Sequence, residues 1–76
     1  MDWQSEALEP LRRQMVQFAT LQLDDAAAAE DAVQEAIAAA MRHAASFAGR
    51  SALKTWVFAI LKNKIRDELR RRARLD

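Results

Sequence analysis

Asn63, with Lys62, Arg66 and Arg70 around it, is the grouping in this sequence whose residue types are best suited to binding chemistry. An amide can bond a base edge, and lysine and arginine neutralise phosphates. Trp56, seven residues before Asn63, could stack on an exposed base, an interaction worth about 1–3 kcal/mol on single strands. Plainer readings exist: a core aromatic for Trp56 and a solvated helix face for the cations. The shared side of the cations and the adjoining run Arg70-Arg71-Arg72-Ala73-Arg74 favour a polyanion partner. A second grouping is Asp31, Gln34, Glu35, Ala38 and Arg42. It is polar with a small residue at its centre, so a partner helix could approach closely while the flanking groups fix register. On composition alone a solvated helix face is the favoured reading.

Catalysis finds no such grouping. Asp24-Asp25 and Glu30-Asp31 are acidic pairs, but carboxylates at helix N-termini ordinarily complement the dipole. His43 has no Asp, Cys or Ser partner at helical spacing, and general acid–base work demands geometry as well as a suitable pKa. We therefore expect no enzyme, no catalytic residue, no metal site and no cofactor.

Three helices must position these groups, by the 3.6-residue period. The first spans about Glu9 to Leu23, with Pro10 in its first turn, where a missing N–H costs little. Its core stripe is Leu8, Leu11, Met15, Phe18 and Ala19. Asp24-Asp25 supplies the cap of the second helix, which runs to about Ala45 and buries Ala29, Val33, Ile37, Ala40 and Ala44, with Met41 beside them. Phe47-Ala48-Gly49-Arg50-Ser51 breaks the pattern, with room for a short extra helical turn over 47–52. Gly49 suits a helix end or turn, and Ser51 suits the cap of a third helix reaching about Arg72. That helix buries Leu53, Val57, Phe58, Ile60, Leu61, Ile65 and Leu69, and the tail Arg70-Arg71-Arg72-Ala73-Arg74 is expected to fray.

Composition narrows the class. With 76 residues the chain holds one domain at most. At this size a domain buries only roughly 60% of its unfolded surface, which leaves no room for a deep cleft. There is no cysteine, one histidine, one glycine and one proline, which excludes disulfides, thiolate chemistry and Gly-rich phosphate loops. No apolar run suffices to span a membrane, and the polar start is no secretory signal. The expectation is an all-α, compact bundle of three main helices in the cytoplasm. Residues 1–49 hold three Arg against eight Asp/Glu, a balance of −5, and residues 50–76 hold nine Lys/Arg against three Asp/Glu, a balance of +6. Such asymmetry points to a polyanion for the basic half.

Taken in order, several motifs carry a resemblance. Ala29-Glu30-Asp31-Ala32-Val33-Gln34-Glu35 is followed by Phe47-Ala48-Gly49, then Leu53-Lys54-Thr55-Trp56-Val57, then Ile60 with Asn63, then Asp67-Glu68-Leu69-Arg70-Arg71. The series resembles region 2 of bacterial sigma factors, most closely the extracytoplasmic function (ECF) type, over about residues 8–74. Each piece is weak alone, whereas the order and spacing together are specific.

The resemblance implies a transcription initiation module. In the family, the second helix docks on the clamp helices of the RNA polymerase β′ subunit, which here means Asp31, Gln34, Glu35, Ala38 and Arg42. The loop after F-x-G and the next helix bind the non-template strand of the −10 promoter element. That implies Phe47, Ala48, Gly49, Arg50, Ser51 and Ala52 for the loop, Asn63 for a base edge, and Lys62, Arg66 and Arg70 for the backbone. Trp56 matches a position with a promoter-melting role in housekeeping members and ranks below Asn63 here. An anti-sigma factor is a further implied partner. Two departures stand out: Val57 replaces a second tryptophan, as fits the ECF type, and Arg50 stands where an acid often follows the glycine. The family's second domain, which reads the −35 element, is absent from these residues, so the chain is expected to be an excised domain of a larger factor. Two readings from other classes compete: an independent helical reader of duplex DNA through its third helix, and a helical protein-interaction adapter.

Overall fold

A computed structural model describes residues 8–43 and 50–75 of the chain. They form three helices: α1 (Leu8–Leu23), α2 (Ala26–Arg42) and α3 (Arg50–Leu75). The expected all-α bundle is what forms, and none of these helices is long and apolar enough to cross a membrane.

The link between α1 and α2 is two residues long and does two jobs. Asp24 takes a left-handed backbone (φ 51°), which aspartate tolerates better than most side chains. Its amide donates to the Thr20 carbonyl at 2.8 Å and closes α1. Asp25 is extended, and its carboxylate accepts from the Ala28 amide at 3.0 Å, capping α2. The cap expected at Asp24-Asp25 is thus Asp25 alone, with Asp24 ending the preceding helix.

Both ends of the long connection shift from their expected places. The helical backbone of α2 stops at Arg42 rather than near Ala45. His43 leaves the helical region (φ −117°, ψ 21°), and its amide donates to the Ala40 carbonyl at 3.1 Å. α3 starts at Arg50, so Ser51 is within the helix and is not its cap; helix ends differ by a residue or two between definitions. Ala44, Phe47, Ala48 and Gly49 lie outside the described residues, and with them the first half of the expected turn over 47–52, while residues 50–52 belong to α3 itself.

The core is wholly apolar among the described residues. α1 contributes Met15, Ala19 and Leu23; α2 contributes Ala29, Ala32, Val33, Ala36 and Ala40; α3 contributes Leu53, Val57, Leu61 and Ile65. Four of the five α2 positions are alanine, so helices α1 and α3 can approach its backbone closely. Leu11, Phe18, Ile37, Phe58 and Ile60 pack around this centre, half-buried. Phe18 and Phe58 meet edge to face with centroids 6.0 Å apart, joining α1 to α3. Three expected core residues are outside it, Leu8 being half-buried at the start of α1. Met41 (47% exposed) and Leu69 (42% exposed) lie at the edges of their helices. The buried face of α2 turns instead toward Ala32 and Ala36, which a reading by hydrophobic size passes over.

The arginine tail does not fray. α3 stays helical to Leu75 because its last turns are tied down. Arg72 donates through Nη1 to the Leu23 carbonyl at 2.7 Å, one of the α1 carbonyls left without a helical partner. The same guanidinium reaches Glu68 at 3.0 Å and Asp25 at 3.9 Å. One arginine therefore joins the end of α1, the cap of α2 and the end of α3. Arg12 pairs with Glu30 at 3.2 Å and further ties α1 to α2.

Candidate functional site

Two outward faces carry the polar residues that the sequence singles out. On α2 the buried positions occupy one side. Asp31, Gln34, Glu35, Ala38 and Arg42 are all exposed, and at 100° per residue they fall within a single stripe opposite the core. From Asp31 to Arg42 the stripe runs for about 16 Å along the helix. The Ala38 methyl leaves its middle low, with charge and amide groups on either side. None of these residues is drawn into the core, so the stripe is a surface without an internal structural duty.

On α3, Lys62, Asn63, Arg66 and Arg70 are likewise exposed. They face away from Leu61 and Ile65, within about 100° of one another. Arg70 has a long, exposed contact with Asp67 at 3.9 Å, which contributes little in solvent. The structure thus brings together the base-edge candidate and the three phosphate candidates on one side of one helix. Among the loop candidates, Phe47 and Gly49 lie outside the described residues, while Arg50 and Ser51 have backbone positions in the first turn of α3.

Trp56 is half-buried. Its ring stands at 69° to the His43 imidazole with centroids 5.5 Å apart, where the end of α2 meets the start of α3. The indole therefore combines a packed edge with some exposure, and the two readings of its role are not exclusive. His43 itself is exposed and packs on Trp56.

The remaining tail charges have distinct surroundings that the sequence reading treats as one cluster. Glu68 accepts from Arg71 at 2.6 Å and from Arg72 at 3.0 Å. Hydrogen bonds from Arg71, and then from Arg72, hold its carboxyl below the ordinary glutamate range, and Glu68 in turn raises Arg71. The i,i+3 and i,i+4 spacing of Glu68 with Arg71 and Arg72 was readable as a helix-stabilising signal. The Arg72–Leu23 bond, 49 residues apart in sequence, had no local signal. Between α2 and α3 runs an open groove of about 390 Å³, lined by Ala28, Asp31, Ala32 and Glu35 on one wall and by Lys64, Asp67, Glu68, Arg71 and Arg74 on the other. Sequence reasoning missed this groove, because it exists only once the two helices are packed.

Comparison with known proteins bears on these faces. Residues 7–75 match the family model described as sigma-70 region 2. A protein of Haemophilus influenzae described as a "Probable RNA polymerase sigma factor" is 54% identical over 67 residues. The match takes in 88% of this chain and 34% of that relative, so the chain spans about a third of the relative's length. No solved structure matches the chain significantly.

Proposed function

The chain belongs to the sigma-70 region 2 family, and on that footing we propose that it is the polymerase-docking and promoter −10 module of a sigma factor of the ECF type. The observation that carries the reading is the separation of two polar faces on one small bundle. The α2 stripe is fully exposed, as is the α3 face, and they lie on different helices, so two large partners can be held at once.

In this reading Asp31, Gln34, Glu35, Ala38 and Arg42 seat the β′ clamp helices of RNA polymerase. Ala38 permits close approach, and the charged and amide groups around it set register. Lys62, Arg66 and Arg70 hold the phosphates of the non-template strand, a salt-sensitive contribution. Asn63 bonds a base edge. The loop residues Phe47, Gly49, Arg50 and Ser51 hold an unstacked base, and Trp56 borders the point of strand separation. Unpairing a base costs a few kcal/mol, offset by stacking and hydrogen bonds, so binding energy alone drives the step. The module acts in the cytoplasm as part of a longer factor, and an anti-sigma factor is its expected antagonist.

The test is binding of a fluorescent single strand carrying the −10 element, in the presence of core polymerase. Asn63→Ala is expected to weaken binding by roughly 1–3 kcal/mol, the range for a base-reading contact. Unchanged affinity and unchanged base preference would remove Asn63 from the proposed site.

A further inference from the structure

The groove between α2 and α3 shares two residues, Asp31 and Glu35, with the exposed stripe of α2. Its floor on that side is Ala28 and Ala32, which leave space for a long side chain from outside. The charges around it fall into two kinds. Asp67, Glu68 and Arg71 are already in ion pairs within α3. Asp31, Glu35, Lys64 and Arg74 have no ion-pair partner among the described residues. Lys64 is half-buried beside the groove, and a partly desolvated ammonium gains more from an opposite charge than an exposed one does.

We propose that the polymerase helix seated on α2 reaches across this groove, and that Lys64 and Arg74 of α3 take up acidic side chains from it. The proposal rests on the docking role given above to the α2 stripe. It divides the cations of α3 by face: Lys62, Arg66 and Arg70 serve the nucleic acid, whereas Lys64 and Arg74 serve the protein partner. The occupant's chemistry follows from the walls. Asp31 and Glu35 call for basic side chains on the part of the partner helix above α2. Lys64 and Arg74 are ten residues apart on α3, about 15 Å along its axis. They call for acids with a similar separation on the edge of the partner helix facing α3.

The experiment titrates the chain against a purified β′ clamp-helix fragment and, separately, against the −10 single strand. The double variant Lys64→Glu/Arg74→Glu is compared with wild type and with Glu35→Lys. Helicity is checked by circular dichroism, and the milder Lys64→Gln/Arg74→Gln pair is run alongside in case charge reversal disturbs the fold. We expect the charge-reversed pair to bind the fragment about tenfold more weakly, as loss of interfacial charge pairs does, with affinity for the single strand unchanged. Wild-type binding of the fragment by both double variants, while Glu35→Lys loses it, would overturn this inference and leave the docking role of α2 standing. Loss of strand affinity instead would assign Lys64 and Arg74 to the nucleic acid and overturn it equally. If Glu35→Lys also binds like wild type, the docking role itself fails, and the inference with it.

Discussion

Asp24 and Asp25 are adjacent and of one type, yet their substitutions are expected to act in opposite directions. Asp24 holds a left-handed backbone, where glycine carries no steric cost. Asp24→Gly is expected to stabilise the fold by about 0.5–1 kcal/mol. That corresponds to a rise in Tm of a few degrees for a domain of this size. Asp25→Ala removes the bond to the Ala28 amide and should destabilise by about 1 kcal/mol. Thermal melts of the two variants check both signs, and equal shifts in one direction would contradict the capping assignment. Glu68 gives a pH prediction. Its carboxyl is held below the ordinary range in the folded chain, first by Arg71 and then by Arg72. In the window between the lowered and the ordinary carboxylate pKa, the unfolded chain binds the extra proton. Stability therefore rises with pH there. The contribution is present above the ordinary value and is lost as pH falls through the lowered one. Urea midpoints measured from neutral pH down to pH 3 should fall less steeply in Glu68→Gln than in wild type.

Helices α2 and α3 each present one face to the core and a polar face outward, and the sequence made these faces legible to different degrees. The polar stripe of α2 was readable because Asp31, Gln34, Glu35, Ala38 and Arg42 recur at helical spacing, and all five are exposed. The buried face was only partly readable: Ala32 and Ala36 are fully or nearly fully buried, but an alanine looks the same on either side of an Ala-rich helix. Periodicity pointed instead to Met41, which helix geometry places at the edge. On α3 the core stripe from Leu53 to Ile65 was clear, while Leu69 continued the spacing but rotates about 40° away from Ile65, to the edge of the buried face. The Arg70–Asp67 and Arg71–Glu68 pairs follow from spacing along the helix, whereas the reach of Arg72 to Leu23 and Asp25 was invisible, since it depends on how α1 and α2 pack against α3. The packing gives its own prediction. Enlarging Ala36, which is fully buried, to leucine should cost about 1–3 kcal/mol by overpacking. Ala38→Leu, on the exposed stripe, should leave the Tm nearly unchanged and impair docking of a partner helix. Melting curves beside a binding titration separate the two effects.

In the whole bundle, a small core holds the two exposed polar faces in fixed relation. A chain of 76 residues has little stability to spare. Leu61→Ala, at the fully buried centre of α3, should cost about 2–5 kcal/mol. Much of the population would then unfold at 37 °C, and both bindings would be lost together, unlike the selective losses expected from surface changes. The contrast between an acidic first part and a basic last part now has a structural form, with acids on the α2 stripe and cations on the α3 face. If Lys62, Arg66 and Arg70 each neutralise a phosphate of a single strand, log affinity should fall with log salt at a slope of about 2, and Arg66→Ala should reduce it by about 0.7.

The proposed function turns on whether the exposed stripe of α2 seats RNA polymerase. Its most direct test is a calorimetric titration of this chain against the β′ clamp-helix fragment, with wild type beside Gln34→Ala/Glu35→Lys. Both positions are exposed and outside the core, so the variant should keep its helicity and its melting temperature. Saturable binding by wild type and loss of that binding in the folded variant are expected. Equal binding by the two, or no binding by a folded wild-type chain, would contradict the proposed function.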